Sequence, residues 1–201
     1  RDIQYGARML LKSRGFTAIA VLTLALGIGA NTAVFSVVNA VQLRPLPYGE
    51  PERLVFLTEW SEQVPNMSFS VANFKDLRDQ NQVFDSVFGS NSTSFVLTGS
   101  GPEAERVNVR QVTSGMFDTL QKTPMLGRAF TADEDKPGAP RVILLGEGFW
   151  ERRFGRDPDI VGKSLTLSGE SFNVIGVMPG SFHTSWKATD AFTPLLFLED
   201  K

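Results

Sequence analysis

The chain has 201 residues, of which 42% are hydrophobic and 21% are charged, and its formal net charge is -2. It contains no cysteine and one histidine, which excludes disulfides and thiol chemistry and nearly excludes a zinc site. Residues 44–201 hold 16 basic and 21 acidic side chains. This acidic balance is a poor match for nucleic acid, whose binders usually present a basic face.

The N-terminal residues 1–14 are basic and amphipathic. They carry four basic side chains and one acidic side chain. The apolar side chains of Ile3, Ala7, Leu10 and Leu11 fall on one helical face. This pattern predicts an amphipathic helix over residues 1–14 that lies at the cytoplasmic interface of a membrane.

A run without any charged side chain extends from Gly15 to Leu43. A helix needs about 20 apolar residues to cross a hydrocarbon core of about 30 Å, so residues 15–43 are predicted to be a transmembrane helix. Basic side chains are enriched before the run, which places the N-terminus in the cytoplasm and residues 44–201 outside. A cleaved signal peptide is the alternative, although its apolar region usually spans about 7–15 residues.

Small residues follow one face of this predicted helix. Ala25, Gly29 and Ala33 form a small-xxx-small pattern, which lets two helix backbones approach closely in lipid. A single-span anchor is the alternative, but an anchor does not need a polar Asn31 in mid-membrane, so a packed bundle helix is favoured. The candidates for helix packing are Ala25, Gly29, Asn31, Ala33, Ser36 and Ala40.

Short strands and helices alternate after Pro45 and Pro47, which predicts a mixed α+β extracytoplasmic domain over residues 44–201. Strands are predicted at 54–59, in two pieces within 82–98, and at 106–112, 141–145, 163–168 and 171–178. Helices are predicted at 70–80, 114–120 and 147–154. The fold class is therefore α+β, with one N-terminal transmembrane helix preceded by an amphipathic helix.

One segment resembles a nucleotide-binding loop without meeting its requirements. Residues 157–164 end in Gly-Lys-Ser, but Asp157 stands where the first glycine of a phosphate-binding loop belongs. A carboxylate there would repel a phosphate, and the following residues alternate like a strand. The segment is therefore predicted to be a turn that leads into a hairpin.

The remaining polar motifs give no credible catalytic or metal site. His183 has no nucleophile elbow in the sequence and is expected at the surface or at an edge. Asp133, Glu134 and Asp135 lack the spacing of a calcium loop and are predicted to form a solvated acidic turn.

Three large apolar residues, Trp60, Met67 and Phe69, lie in a polar loop that contains proline. They could form a patch that contacts a partner, or they could pack beneath the loop. The sequence leaves both interpretations open.

Several short motifs stand out, at residues 2–39, 43–48, 114–117, 126–130, 150–154, 157–163 and 174–179. Their order and spacing resemble those of the permease subunits of MacB-type ABC exporters, a family that includes FtsX, LolC and LolE. The N-terminal residues 2–39 match closely, followed by Leu-Arg-Pro-Leu-Pro-Tyr at 43–48. The later motifs resemble the periplasmic core domain of the family. They lie at residues 114–117, 126–130, 150–154, 157–163 and 174–179.

The resemblance implies an N-terminal fragment of a permease in the bacterial inner membrane, with part of a periplasmic core domain at 44–201. Three later membrane helices are implied. No cofactor is expected in this chain, because a separate ATPase protein or domain binds ATP and its hydrolysis moves the periplasmic domain, which expels substrate. The expected partners are membrane lipid, a second permease copy, the ABC ATPase and a periplasmic adaptor.

Two other functions are compatible with the residues alone. One is a single-pass, membrane-anchored periplasmic sensor or binding module. The other is an anchored hydrolase that depends on His183, although the sequence around His183 lacks a triad context. The class of transported substrate stays open.

Overall fold

A computed structural model describes residues 9–10, 12–39, 48–63, 66–99, 104–180, 182 and 189–196. The chain divides into two compact units, residues 1–46 and residues 47–201. The predicted α+β class with one long N-terminal helix is confirmed.

The first unit contains the apolar helix α1 (Arg14–Val38). Its 25 residues extend for about 37 Å, which is longer than the hydrocarbon core of a bilayer. Within the described part of the chain, α1 is the one helix long and apolar enough to span a membrane. The backbone N–H of Asn39 ends it by donating to the carbonyls of Phe35 and Ser36. Residues 40–43 of the predicted span lie outside the described residues.

The amphipathic helix predicted over residues 1–14 lies mostly outside the described residues. Met9, Leu10 and Lys12 are helical, as predicted. Ser13 has non-helical backbone angles (φ -103°, ψ 59°) and separates this short segment from α1. The two are linked by the hydroxyl of Thr17, which donates to the carbonyl of Leu10 at 2.7 Å.

The second unit is built on a mixed seven-stranded sheet with the order β3-β6-β4-β7-β2-β1-β5. Its strands are β1 (Ser90–Thr98), β2 (Glu105–Val112), β3 (Leu126–Gly127), β4 (Val142–Gly146), β5 (Ser164–Leu167), β6 (Glu170–Met178) and β7 (Ala191–Pro194). The β4–β6 and β2–β7 pairs are parallel, and the others are antiparallel. Because β5 pairs with both β1 and β6, the strands close into a ring.

Strand β4 is buried on both of its faces. Along β4, Ile143 and Leu145 contact one hydrophobic cluster, and Val142 and Leu144 contact the other. A strand that is apolar on both faces is typical of a strand covered on both sides. The pairing of β4 with β6 shifts in register between Ile143 and Leu144 of β4. As a result, Val174 and Val177 of β6 lie in the same cluster although they are three residues apart.

The described part of this unit also contains three helices: α2 (Val71–Gln80), α3 (Gly115–Leu120) and α4 (Glu147–Phe154). The predictions of these three helices are confirmed. The hydroxyl of Ser70 caps α2 by accepting from the N–H of Asn73 at 3.1 Å, as its position before the helix predicted. Phe149 and Trp150 of α4 are buried in the core.

The predicted hairpin is formed by β5 and β6. Its turn residues, Ser168 and Gly169, have φ angles of +50° and +85°, the pair of positive values that a type I′ turn requires. The turn therefore lies one residue earlier than the predicted Gly169 and Glu170.

Two strand predictions are wrong. Residues 54–58 have no sheet partner in the described structure, and one isolated bridge joins Glu59 to Met67. The two pieces predicted within 82–98 are one strand, β1, and residues 82–89 are not a strand. The side chain of Asn81 explains the second error, because its oxygen accepts from the N–H groups of Val83 and Phe84 and so replaces strand pairing with a turn.

Gly127 of β3 lies directly opposite Gly176 of β6 and has φ +78°, so this strand pair depends on the absence of side chains. We expect Gly127→Ala to lower the free energy of unfolding by at least about 3 kcal/mol, because the new Cβ would collide with the carbonyl oxygen of Ile175. Gly138→Ala is the matched control. Gly138 has φ +81° with open space around it, so this substitution should cost about 1 kcal/mol.

Chemical denaturation of the two variants measures the difference. Equal losses for Gly127→Ala and Gly138→Ala would show that β3 and β6 do not need this close approach.

Candidate functional site

Five of the six predicted helix-packing residues lie within α1: Ala25, Gly29, Asn31, Ala33 and Ser36. The helix presents no buried residue in its own unit. A Cβ added at Gly29 would meet nothing within 4 Å, so the groove beside this glycine is open. The helical positions are as predicted, and packing against another helix stays a prediction. The sixth candidate, Ala40, lies outside the described residues.

The polar side chains of α1 differ in how they are satisfied. The hydroxyl of Ser36 donates to the carbonyl of Thr32 at 2.7 Å, and that of Thr23 donates to Ile19 at 2.9 Å. Such hydroxyls fulfil their hydrogen bonding within their own helix. The carboxamide of Asn31 makes no hydrogen bond to any described residue. In lipid it would require water or a polar group from another helix.

The prediction of a solvated acidic turn at Asp133, Glu134 and Asp135 is wrong, because two of the three side chains are buried. Glu134 and Asp135 are 7% and 8% exposed, and the side chain of Asp133 alone is well exposed. The error arises because three successive acids look like a surface turn in sequence, whereas a 3-10 turn points two of them toward partners brought from elsewhere in the fold. Each buried carboxylate has hydrogen-bond donors that satisfy it.

Glu134 accepts two parallel hydrogen bonds from Arg128, at 2.7 and 3.0 Å. Its carboxylate also accepts from the N–H of Thr131 at 2.8 Å and completes a capping box. Burial disfavours the charged form, but the hydrogen bonds from Arg128 and Thr131 outweigh it and lower the pKa of Glu134. The ion pair therefore stabilises the turn at neutral pH.

Asp135 joins the same turn to the start of α3. Its carboxylate accepts from the N–H of Ser114 at 2.9 Å and from the Ser114 hydroxyl at 2.7 Å. Here burial outweighs these hydrogen bonds and raises the pKa of Asp135. Two adjacent carboxylates thus have pKa shifts of opposite sign, because one has a bidentate cation and the other has neutral donors.

A second junction, which the sequence did not reveal, is centred on Asp190. The carboxylate of Asp190 accepts from the N–H of Asn108 in β2 at 3.0 Å and pairs with Arg152 of α4 at 3.0 Å. Its carbonyl accepts from the N–H of Gly146 at 2.8 Å. One residue therefore ties β2, β4 and α4 to the start of β7. Its partners are 38 to 82 positions away, so no local pattern could have indicated them.

The segment that resembles a nucleotide-binding loop is a structural turn, as predicted. Asp157 caps a 3-10 turn by accepting from the N–H of Asp159 at 3.0 Å, and it forms an ion pair with Lys163. The hydrogen bond from Lys163 lowers the pKa of Asp157. Since Lys163 already neutralises a carboxylate of the same segment, the geometry favours a closed turn over phosphate binding.

The other predicted candidates do not converge. His183 lies outside the described residues. Among the described residues, no three acidic or histidine side chains come together as a metal site. Trp60 is 70% exposed, whereas Met67 and Phe69 are half-buried, so these residues divide between the two interpretations that the sequence left open.

The opposite pKa shifts of Glu134 and Asp135 make a testable prediction. The lowered pKa of Glu134 contributes stability above its ordinary value of 4.5, and this stability is lost as the pH falls through the lowered pKa. Glu134→Gln should therefore cost about 1–2 kcal/mol at pH 7 and progressively less in acid.

Asp135→Asn is the matched control and should behave in the opposite way. Because the pKa of Asp135 is raised, the native state loses stability as the pH rises from about the ordinary value of 3.8 through the raised pKa. The variant should lack this loss. Denaturant unfolding from pH 3 to pH 7 measures both effects, and parallel pH profiles for the two variants would contradict the assignment.

Comparisons with known proteins identify the family. A model of the MacB-like periplasmic core domain matches residues 17–200. No curated protein sequence matches the chain. The extracellular domain of the noncanonical ABC-type transporter YknZ from Gram-positive bacteria is 20% identical with a TM-score of 0.50, over 63% of this chain and 63% of that structure.

Two further solved structures are similar. The periplasmic region of MacB from Actinobacillus actinomycetemcomitans is 19% identical (TM-score 0.48), over 61% of this chain and 54% of that one. A domain of a putative permease from Porphyromonas gingivalis is 15% identical (TM-score 0.40), over 58% and 54%. The chain thus spans between about half and two thirds of these structures. With the family model matching well over half of its residues, the chain belongs to the MacB-like periplasmic core domain family of ABC transporter permeases.

Proposed function

We propose that the chain is the N-terminal part of a permease subunit of a MacB-type ABC exporter. One observation carries this proposal: the family match begins at residue 17, inside α1, and covers the described part of the sheet domain before it ends at residue 200. The membrane helix and the domain are therefore parts of one family unit. An anchor joined to an unrelated module would match over the module alone.

The proposed mechanism is mechanical coupling without covalent chemistry in this chain. A separate ATPase protein or domain binds ATP, and its hydrolysis moves the permease so that the periplasmic domain expels substrate. The packing of the domain supports this role. A ring of strands with both faces buried is close-packed and deforms little, so it moves as a body.

The proposed orientation puts the N-terminus in the cytoplasm and residues 44–201 in the periplasm of a bacterial inner membrane. It rests on the excess of basic side chains before α1. The proposed partners are membrane lipid around α1, a second permease copy, the ABC ATPase and a periplasmic adaptor. The small-residue face of α1 is the proposed site of contact with another membrane helix of the permease assembly.

Gly29→Leu in the full-length protein tests whether the small-residue face of α1 contacts another membrane helix. Gly29 lies on the small-residue face and Gly27 lies about 200° around the helix from it, so Gly27→Leu adds the same bulk to a different face. A Cβ at either position meets nothing within 4 Å in this chain, so neither variant should disturb the chain itself. We expect Gly29→Leu to weaken helix association at least about tenfold, or about 1.4 kcal/mol. Gly27→Leu, one turn from Asn31 on the other face, should weaken it less.

Two measurements on membrane-reconstituted protein check this expectation. One is co-purification of a second permease copy and of an ATPase. The other is the ATP hydrolysis rate of the assembled complex. If the unsubstituted full-length protein retains neither partner, the exporter proposal fails and a membrane-anchored binding module becomes the better explanation.

A further inference from the structure

The C-terminal end of α2 and the turn that follows it form an open groove on the surface of the second unit. The volume of this groove is about 340 Å³, which is near the lower limit for ligand pockets. Its apolar lining consists of the half-buried side chains of Leu77 and Phe84 and of Val83, which is 85% exposed. We call this feature the α2 groove.

The side chain of Asn81 fixes the shape of the α2 groove. Its oxygen accepts from the N–H of Val83 at 3.0 Å and from the N–H of Phe84 at 2.8 Å. Its nitrogen donates to the carbonyl of Phe84 at 2.5 Å. These three hydrogen bonds hold the turn, so the backbone keeps Val83 exposed. A groove that is formed before binding loses little conformational entropy on binding, which favours affinity.

One carboxylate lines the α2 groove, that of Asp76. The exposed acids that follow it along the chain are paired with cations. Asp79 pairs with Arg78 at 2.9 Å, and Asp85 pairs with Arg53 at 2.6 Å. The side chain of Asp76, in contrast, makes no ion pair or hydrogen bond to any described residue. The groove therefore presents one negative charge without a cation, next to apolar side chains.

The carboxamides of Gln80 and Gln82 also line the α2 groove. Neither carboxamide makes a hydrogen bond to a described residue. A carboxamide both donates and accepts, so it can pair with a peptide group in either orientation. The groove thus offers complementary groups to a cation, to an apolar side chain and to a peptide backbone. A polypeptide segment with a lysine or arginine next to an apolar residue has all three.

We propose that the α2 groove binds a basic segment of a separate protein. A lysine or arginine of that segment pairs with Asp76, and the apolar side chain beside it packs against Leu77 and Val83. The carboxylate of Asp76 disfavours an anionic lipid headgroup or a nucleic acid, because like charges repel. This proposal does not depend on ATP-driven export.

Two other occupants fit the α2 groove less well. In a symmetric pair of copies the same surface meets itself, which would bring the two Asp76 carboxylates together at a cost in free energy. A permanent cover from the same polypeptide would bury Asp76 and require a partner for its charge. Reversible interfaces between proteins are about as polar as the rest of the surface. The mixture of carboxylate, carboxamide and apolar groups therefore favours a separate protein that binds reversibly.

Binding of two peptide probes to the full-length protein tests the role of charge. The probes are the fluorescent peptides Gly-Leu-Arg-Leu-Gly and Gly-Leu-Glu-Leu-Gly, measured by fluorescence anisotropy with the protein in nanodiscs of neutral lipid. We expect the arginine peptide to bind at least about fivefold more tightly, because it gains an ion pair and avoids a repulsion. Asp76→Asn should remove most of this preference. Asp159→Asn removes the same charge from an exposed 3-10 turn and should leave the preference unchanged.

The arginine peptide also tests the apolar contact. Val83→Ser should weaken its binding at least about threefold, because buried apolar surface is lost. The matched control is Val161→Ser, at a second exposed valine in a turn, which should leave binding unchanged. The proposal is overturned by equal affinities for the two peptides, by a preference that survives Asp76→Asn, or by the absence of binding.

Photo-crosslinking of the full-length protein in its native membrane identifies the occupant. With benzoyl-phenylalanine in place of Val83, we expect one cross-linked protein, joined through a peptide that contains lysine or arginine. The product should be lost when Asp76→Asn is added. A cross-link within the same polypeptide or to a second copy would overturn the proposal, as would the absence of a product.

Discussion

Burial of β4 and β6 on both faces is the constraint on which the rest of the domain depends. Ile143 and Leu145 point into one cluster while Val142 and Leu144 point into the other, so neither face can be left open to water. Each face must then be covered, by α4 on one side and by α3 with its flanking turn on the other. The register shift in the β4–β6 pair and the Gly127–Gly176 pair beside it are the backbone adjustments that this double packing requires.

Three polar pairs close to this core join separate segments of the domain, and one partner of each pair lies in a motif that indicated the family. Ser114 begins the motif at 114–117 and donates to Asp135. Arg128, in the motif at 126–130, pairs with Glu134. Arg152, in the motif at 150–154, pairs with Asp190. Glu134, Asp135 and the side chain of Asp190 are largely buried, and a buried carboxylate must be paired or hydrogen-bonded. These motifs therefore contain residues that join separate segments of the domain.

Besides the α2 groove, two surfaces remain without partners among the described residues, and they lie in separate units of the chain. One is the small-residue face of α1. The carboxamide of Asn31 lies on another face of the same helix, because two residues separate it from Gly29 by about 200°. The other is the stretch of residues 55–58, in which Phe56 is exposed and the backbone makes no hydrogen bond to a described residue. In lipid the first favours contacts with other helices, whereas in water the second leaves apolar side chains and backbone polar groups exposed.

The sequence by itself determined the features that depend on neighbouring residues. The long apolar run, the Ser70 cap, the alternation in β2 and the β5–β6 hairpin all follow from short-range periodicity and turn chemistry. The resemblance to the family followed from the order and spacing of short sequence motifs. Tertiary structure decided whatever depends on distant partners. Residues 54–58 have strand propensity, but no strand among the described residues pairs with them. Glu134 and Asp135 resemble a surface turn, but they meet Arg128 and Ser114. Asp190 gains its role from residues 38 to 82 positions away. The physical reason is that burial and pairing are properties of two segments, and a local pattern describes only one of them.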